Sequence, residues 1–159
     1  MHFCIFDTPE PSTLLETEVR NGNGDTVLLQ IVREYLRQIA LLTDESAFVD
    51  ATDSLIEYLD VLVHKNANLN AQDRSFRTAL ILLASSPHSL KAIRYLVEAG
   101  ASTLYISGGG WDAIDDATYY GNLEVARYLK DAKRQECHKR SQVEPKVSNK
   151  KRWTTFWLF

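Results

Sequence analysis

DRSFRTALILLA, residues 73–84, is the stretch whose reading decides the fold. A run polar except for Phe76, Asp73–Arg77, ends at Thr78, and only apolar residues follow as far as Ala84. A Thr at such a junction accepts hydrogen bonds from N–H groups that the first helical turn leaves unpaired, so Thr78 reads as a helix cap. The same succession occurs twice more, as NGNGDTVLLQIV from Asn21 and SGGGWDAIDDAT from Ser107. Each time a polar or Gly-rich turn leads to a capping residue (Thr26, Thr78, Asp112). An apolar pattern follows: Leu28, Ile31 and Val32; then Leu80, Leu83 and Ala84; then Ile114 and Ala117.

A second apolar-periodic stretch comes after each, at residues 54–70, 89–102 and 122–132. Leu55, Leu59, Leu62 and Val63 share one helical face, as do Ile93, Leu96 and Val97, and Val125 and Leu129. Arg94-Tyr95-Leu96 returns as Arg127-Tyr128-Leu129, and Gly100 is a helix stop able to take a left-handed conformation. The spacing from Thr78 to Asp112 is 34, whereas Thr26 to Thr78 is 52, so about nineteen residues are inserted around 36–52. They are expected to lengthen the first helix and then form a polar loop at Thr43–Ser46.

This pattern resembles the ankyrin-repeat family, whose mark is Asp-x-x-Gly-x-Thr-Pro-Leu, a second helix, then Gly-Ala-x-x-Asn. The resemblance rests on Asn21, Gly24, Thr26 and Leu28; on Ala67, Leu69, Asn70, Asp73, Thr78 and Leu80; and on Gly100, Ala101, Gly110, Ile114, Gly121 and Val125. It covers about residues 21–132. No repeat keeps the Thr-Pro-Leu-His tetrapeptide, Phe76 stands where Gly is usual, and Ser85-Ser86-Pro87-His88 carries one extra residue. The fold implied is an all-α ankyrin-repeat solenoid of stacked helix pairs joined by short β-hairpin-like loops, with repeats at about 21–72, 73–106 and 107–138. One helix pair cannot bury its apolar face alone, so the repeats must stack and the end units need caps. Residues 1–20 form an N-terminal capping segment, with a short helix over 9–20 placing Leu14, Leu15 and Val19 on the first repeat. The polar run Lys130–Arg140 suits a solvent-facing last helix, and 139–159 is a basic-aromatic tail.

The bulk composition allows one domain of ordinary soluble type. Residues 133–159 hold eight Lys/Arg against two Glu, +6, which leaves −9 on the remainder out of a net −3. Cys4 and Cys137 offer no disulfide framework or metal spacing, which fits a reducing intracellular compartment, cytoplasmic with access to the nucleus. Met1–Phe6 lacks the basic flank of a secretory signal, and no run reaches the roughly 18 apolar residues of a membrane span.

A search for chemistry finds no catalytic, cofactor or metal site. His2, His64, His88 and His138 are scattered, and Cys137-His138 are adjacent residues that project apart on a helix. Gly108-Gly109-Gly110 lacks the Lys-Ser/Thr of a phosphate loop and reads as a tight hairpin. Asp112 is accounted for as a cap, and Asp115 and Asp116 face different sides. The tail pairs Lys139-Arg140 with Lys150-Lys151-Arg152, in the manner of a two-part nuclear-localisation signal. Its end, Trp153 to Phe159, could fold back on the repeats, dock in a partner's groove or touch a membrane surface. The acidic body speaks against nucleic acid there.

The resemblance implies a partner-binding concave surface built from hairpin tips and the exposed sides of the first helices. It places there Asn23, Asp25, Arg33, Arg74, Ser75, Arg77, Ser86, Gly109, Trp111, Tyr119 and Tyr120. Trp and Tyr dominate interface energies, so Trp111, Tyr119 and Tyr120 form the expected hot spot; the other reading is that Tyr119 and Tyr120 pack against the terminal aromatic tail. It also gives Asn70 two readings: a structural bond to the hairpin backbone, or a site of hydroxylation by an oxygen-dependent dioxygenase. The function expected is a monomeric, non-catalytic interaction module, an adaptor or competitive inhibitor of a cellular or host signalling protein. The alternative is a membrane-associated scaffold held by the basic-aromatic tail.

Overall fold

The computed structural model describes residues 18–143, which form three helix pairs. The first pair is α1 (Val27–Ile39) and α2 (Glu45–His64). The second is α3 (Ala79–Ala84) and α4 (Leu90–Glu98), joined by a 3-10 turn over Pro87–Ser89. The third is α5 (Ala113–Tyr119) and α6 (Leu123–Val143). The first helices pack in one layer, α1 on α3 on α5, and the second helices in another, α2 on α4 on α6. Among the described residues there is no strand, only an isolated bridge between Ile106 and Asp112.

Position in the stack explains composition. All six residues of α3 are buried, because α1, α4 and α5 surround it. In α5 only Ala113 and Ala117 are buried, because among the described residues no helix packs on the side away from α3. The main core is a single cluster through all three pairs, including Leu29, Leu55, Leu83, Ile93, Leu96 and Leu129.

Helix ends repeat as well. Ala67, Ala101 and Asn122 donate N–H bonds back to the carbonyls of Leu62, Leu96 and Ala117, each with a left-handed residue just before it: Asn66, Gly100 or Gly121. This satisfies carbonyls that each helix would otherwise leave bare. At the opposite ends, Thr78 accepts from Ile81 N–H at 3.4 Å, and Asp112 accepts from Ile114 and Asp115. Asp115 accepts in return from Asp112 N–H, completing a capping box. Thr26 departs from the expectation: it sits at the same position, but its buried hydroxyl makes no cap bond.

The insertion lengthens the first helix as expected, but it lengthens the second as well. α1 ends at Ile39 and the chain is helical again from Glu45, so the loop spans 40–44, and Glu45 and Ser46 begin α2 instead of lying in the polar loop expected at Thr43–Ser46. α1 has 13 residues against 6 in α3, and α2 has 20 against 9 in α4. Ala51 and Thr52 continue the buried stripe of Leu55 and Leu59, which is why these turns are stable. Tyr35, fully buried, ties them together, its hydroxyl 3.0 Å from Thr52 Oγ1 and bonded to the carbonyl of His88. The extra residue near Ser86 is absorbed by the 3-10 turn, where Ser89 Oγ bonds the carbonyls of Leu83 and Ser86.

Glu18–Arg20 are not helical, and Val19, expected to cover the first pair, is exposed. The rest of the expected N-terminal helix lies outside the described residues, as does the tail beyond Val143. α6 itself continues past 138, through Lys139 and Arg140. Glu136 latches this extension: its carboxylate accepts from Ser102 Oγ, Thr103 N–H and Thr103 Oγ1 at 2.6–2.8 Å.

Burial raises the pKa of Glu136, but bonds from Ser102 and Thr103 outweigh it and hold the carboxyl below its ordinary range. Asp112 is lowered despite burial by Lys133 and the cap N–H groups, and Asp73, also against burial, by N–H groups of Arg77 and Ser75 and by the Arg77 guanidinium. A carboxyl depressed on folding stabilises above its unfolded pKa and loses that contribution as pH falls through the folded value. Melting temperature is therefore expected to fall as pH drops below about 4. Thermal melts between neutral pH and pH 3 check this, and Glu136→Gln should show a shallower acid decline than the wild type.

Candidate functional site

Three five-residue turns, Asn21–Asp25, Asp73–Arg77 and Ser107–Trp111, line one edge of the stack. In the first, Asn21 Oδ1 accepts the N–H groups of Asn23 and Asp25; in the second, Asp73 Oδ1 accepts those of Ser75 and Arg77. In the third, Ser107 Oγ accepts from Trp111 N–H, and the glycines make the tight hairpin expected of them. The fourth residue of each turn has positive φ: Gly24, Phe76 and Gly110. At φ 59° Phe76 occupies a conformation that costs an L-residue about 1–2 kcal/mol. Phe76→Gly is expected to raise stability by about 1 kcal/mol, since the side chain is 58% exposed and loses little packing. Urea unfolding measures it, and a loss of stability would contradict the strain.

The predicted binding residues separate into two groups. Asp25 and Ser86 are interior. Asp25 is an ion-pair partner of Arg33 at 3.1 Å, and Ser86 offers its carbonyl to Ser89. Arg33 and Arg77 are half-buried and share Asp73 Oδ2, at 2.5 and 3.0 Å. The outer group is Asn23, Arg74, Ser75, Gly109, Trp111, Tyr119 and Tyr120, all exposed. Trp111 and Tyr119 meet edge to face at 5.2 Å, and Tyr119 and Tyr120 likewise at 5.2 Å. Trp111 is 42% exposed, Tyr119 69% and Tyr120 57%.

Sequence reasoning missed Phe76 and Ile106 as members of this surface, both more than half exposed. Phe76 carried a signal, an aromatic residue where the turn calls for Gly. The turns are also joined to one another. Gly108 N–H donates to the Ser75 carbonyl at 2.8 Å, and a Cβ on Gly108 would stand 3.2 Å from that oxygen. Arg77 acts electrostatically on Asp116 of α5, whose carboxyl burial pushes up and Arg77 draws back down.

Elsewhere the chemistry is dispersed. His64 lies beside Asp60 on exposed α2, His88 stacks on Phe48 at 3.9 Å, His138 faces Gln142, and Cys137 is exposed on α6. Among the described residues no three His, Cys, Asp or Glu could hold a metal, and no helix is long and apolar enough to cross a membrane. Asn70 Oδ1 accepts the N–H of Ser102 at 2.8 Å and Asn122 donates to the Ala84 carbonyl, so both bind adjacent units together.

Among curated proteins, none matches the chain. A family model described as ankyrin repeats (3 copies) matches residues 46–141, more than half of the sequence. α1 and the first turn precede that match, yet α1 packs on α3 as α3 packs on α5. The chain belongs to the ankyrin-repeat family.

Proposed function

We propose that this protein is a non-catalytic docking module that holds one protein partner against its turn tips and the exposed flanks of α1 and α5. Ankyrin repeats are generally protein-interaction modules. The observation that carries the reading here is the exposed edge-to-face cluster of Trp111, Tyr119 and Tyr120. Large aromatics gathered in water forgo their burial energy, and a partner that covers them recovers it. Occupying a partner's surface is the action such a face performs, as an adaptor or a competitive inhibitor of a signalling protein.

The test is affinity capture from a cell lysate with the wild type and with Trp111→Ala/Tyr119→Ala/Tyr120→Ala, the two matched for melting temperature. Interface hot spots cost at least about 2 kcal/mol each, so the variant should lose its partner by well over 30-fold. Equal capture by both would reject this face.

A further inference from the structure

Arg33, Arg74 and Arg77 converge with Asn23 and Ser75 on a hollow of about 280 Å³ between the first two turn tips. Its floor is acidic and its rim is basic. Asp25 and Asp73 have side chains only 3% exposed, whereas those of Arg33 and Arg77 are 38% exposed. Three guanidinium groups stand over two carboxylates, so one positive charge is in excess, and the outward charge is positive. Asp73 is already saturated by two arginines and two N–H groups. Arg74 pairs with no carboxylate among the described residues, and its stem lies flat on Gly24, where a Cβ would meet Arg74 Cγ at 2.9 Å.

The hollow is continuous with the aromatic face. Phe76 follows Arg74 and Ser75 on the same turn and stands beside Gly108 of the next, while Arg77 reaches towards Asp116, one helical turn before Tyr119 and Tyr120. Two acidic groups of this end are internally engaged, Asp112 with Lys133 and Asp115 in the capping box. Although the body carries net negative charge, screening over about 8 Å at physiological salt leaves contact chemistry to the local groups. An Arg cluster with free donors favours carboxylates, which it binds in bidentate geometry.

Resting on the interaction reading above, we infer that the partner meets this face with an acidic segment. A carboxylate sits on Arg33, Arg74 and Arg77, and flanking apolar side chains pack on Phe76 and Trp111.

The experiment is an amide-resolved NMR titration of the whole chain with a short capped peptide bearing Glu residues around a Trp and a Leu. The control peptide has Lys for every Glu. The Glu peptide is expected to shift the amides of Ser75, Phe76, Arg77, Gly108 and Trp111 saturably, less so as salt rises, and the Lys peptide is not. Arg74→Glu, which breaks no ion pair, should weaken the Glu peptide at least about tenfold, with its spectrum still that of a folded chain. Similar shifts with both peptides would overturn the proposal. So would full displacement by inorganic phosphate with Phe76 and Trp111 unmoved, which would reduce the hollow to a simple anion site. In lysate capture, a partner lost on truncating Trp111, Tyr119 and Tyr120 but indifferent to Arg74→Glu would overturn the acidic chemistry and leave the interaction face standing. A partner indifferent to both would remove the face itself.

Discussion

Leu83→Ala is expected to destabilise the protein by about 3 kcal/mol. Leu83 is fully buried in α3, the central inner helix, which packs on α1 and α5 to either side and on α4 behind. Truncation therefore opens a cavity at the point where all three units meet. In a solenoid each unit is held by its neighbours, so a loss in the middle pair is felt by the pairs on both sides of it. With a urea dependence of about 1–3 kcal/mol per molar, the midpoint should fall by roughly 1–3 M at constant slope. Leu123→Ala is the internal control: its side chain is 66% exposed, and the change should stay within about 0.5 kcal/mol. A Leu83→Ala cost under about 1 kcal/mol would mean that the units do not meet there.

Asp73→Ala is expected to cost about 2–4 kcal/mol, by a different mechanism. Its carboxylate accepts two backbone N–H bonds that close the second turn, and it pairs with Arg33 from the first unit and Arg77 from its own. Removing it strips the turn of its acceptor and leaves two half-buried guanidinium groups, of which Arg33 alone keeps a carboxylate, that of Asp25. Asp73→Asn separates the two roles. Asn21 performs the same turn closure with an amide oxygen in the first hairpin, so an amide at position 73 should keep the turn and lose only the charge. About half the cost of the Ala variant is expected, measured by the same urea unfolding. Equal costs for the two variants would show that the ion pairs, and not the turn bonds, carry the effect.

What could be read from the chain alone follows the range of the interactions. Turn, cap and stop chemistry is local, so Thr78, Asp112 and Gly100 announced their roles, and the period between the caps gave the stack. Thr26 has the right residue type in the right place, yet its hydroxyl does not bond, a difference that residue type cannot encode. The start of α2 was misplaced because Asp44–Ser46 is polar in sequence, while the stripe from Ala51 to Leu59 that stabilises the extra turns is set by packing. Long-range partners were invisible. Arg33 finds Asp73 forty positions away, and Glu136 holds Thr103 thirty-three positions away, in pairs no periodicity marks. Asp25 and Ser86 fell in the binding list for the same reason, since a polar residue near a turn reads as exposed until its burial is seen. Phe76 was legible only as an irregularity, and the positive φ explains why that irregularity matters.

The most direct measurement is hydrogen–deuterium exchange on the protein alone and in complex with the partner captured from lysate. The account predicts slowed exchange at the turns 73–77 and 107–111 and around Tyr119 and Tyr120, with the outer layer of α2, α4 and α6 unchanged. Protection confined to that outer layer, or to residues beyond Val143, with the turn tips exchanging as before, would contradict it.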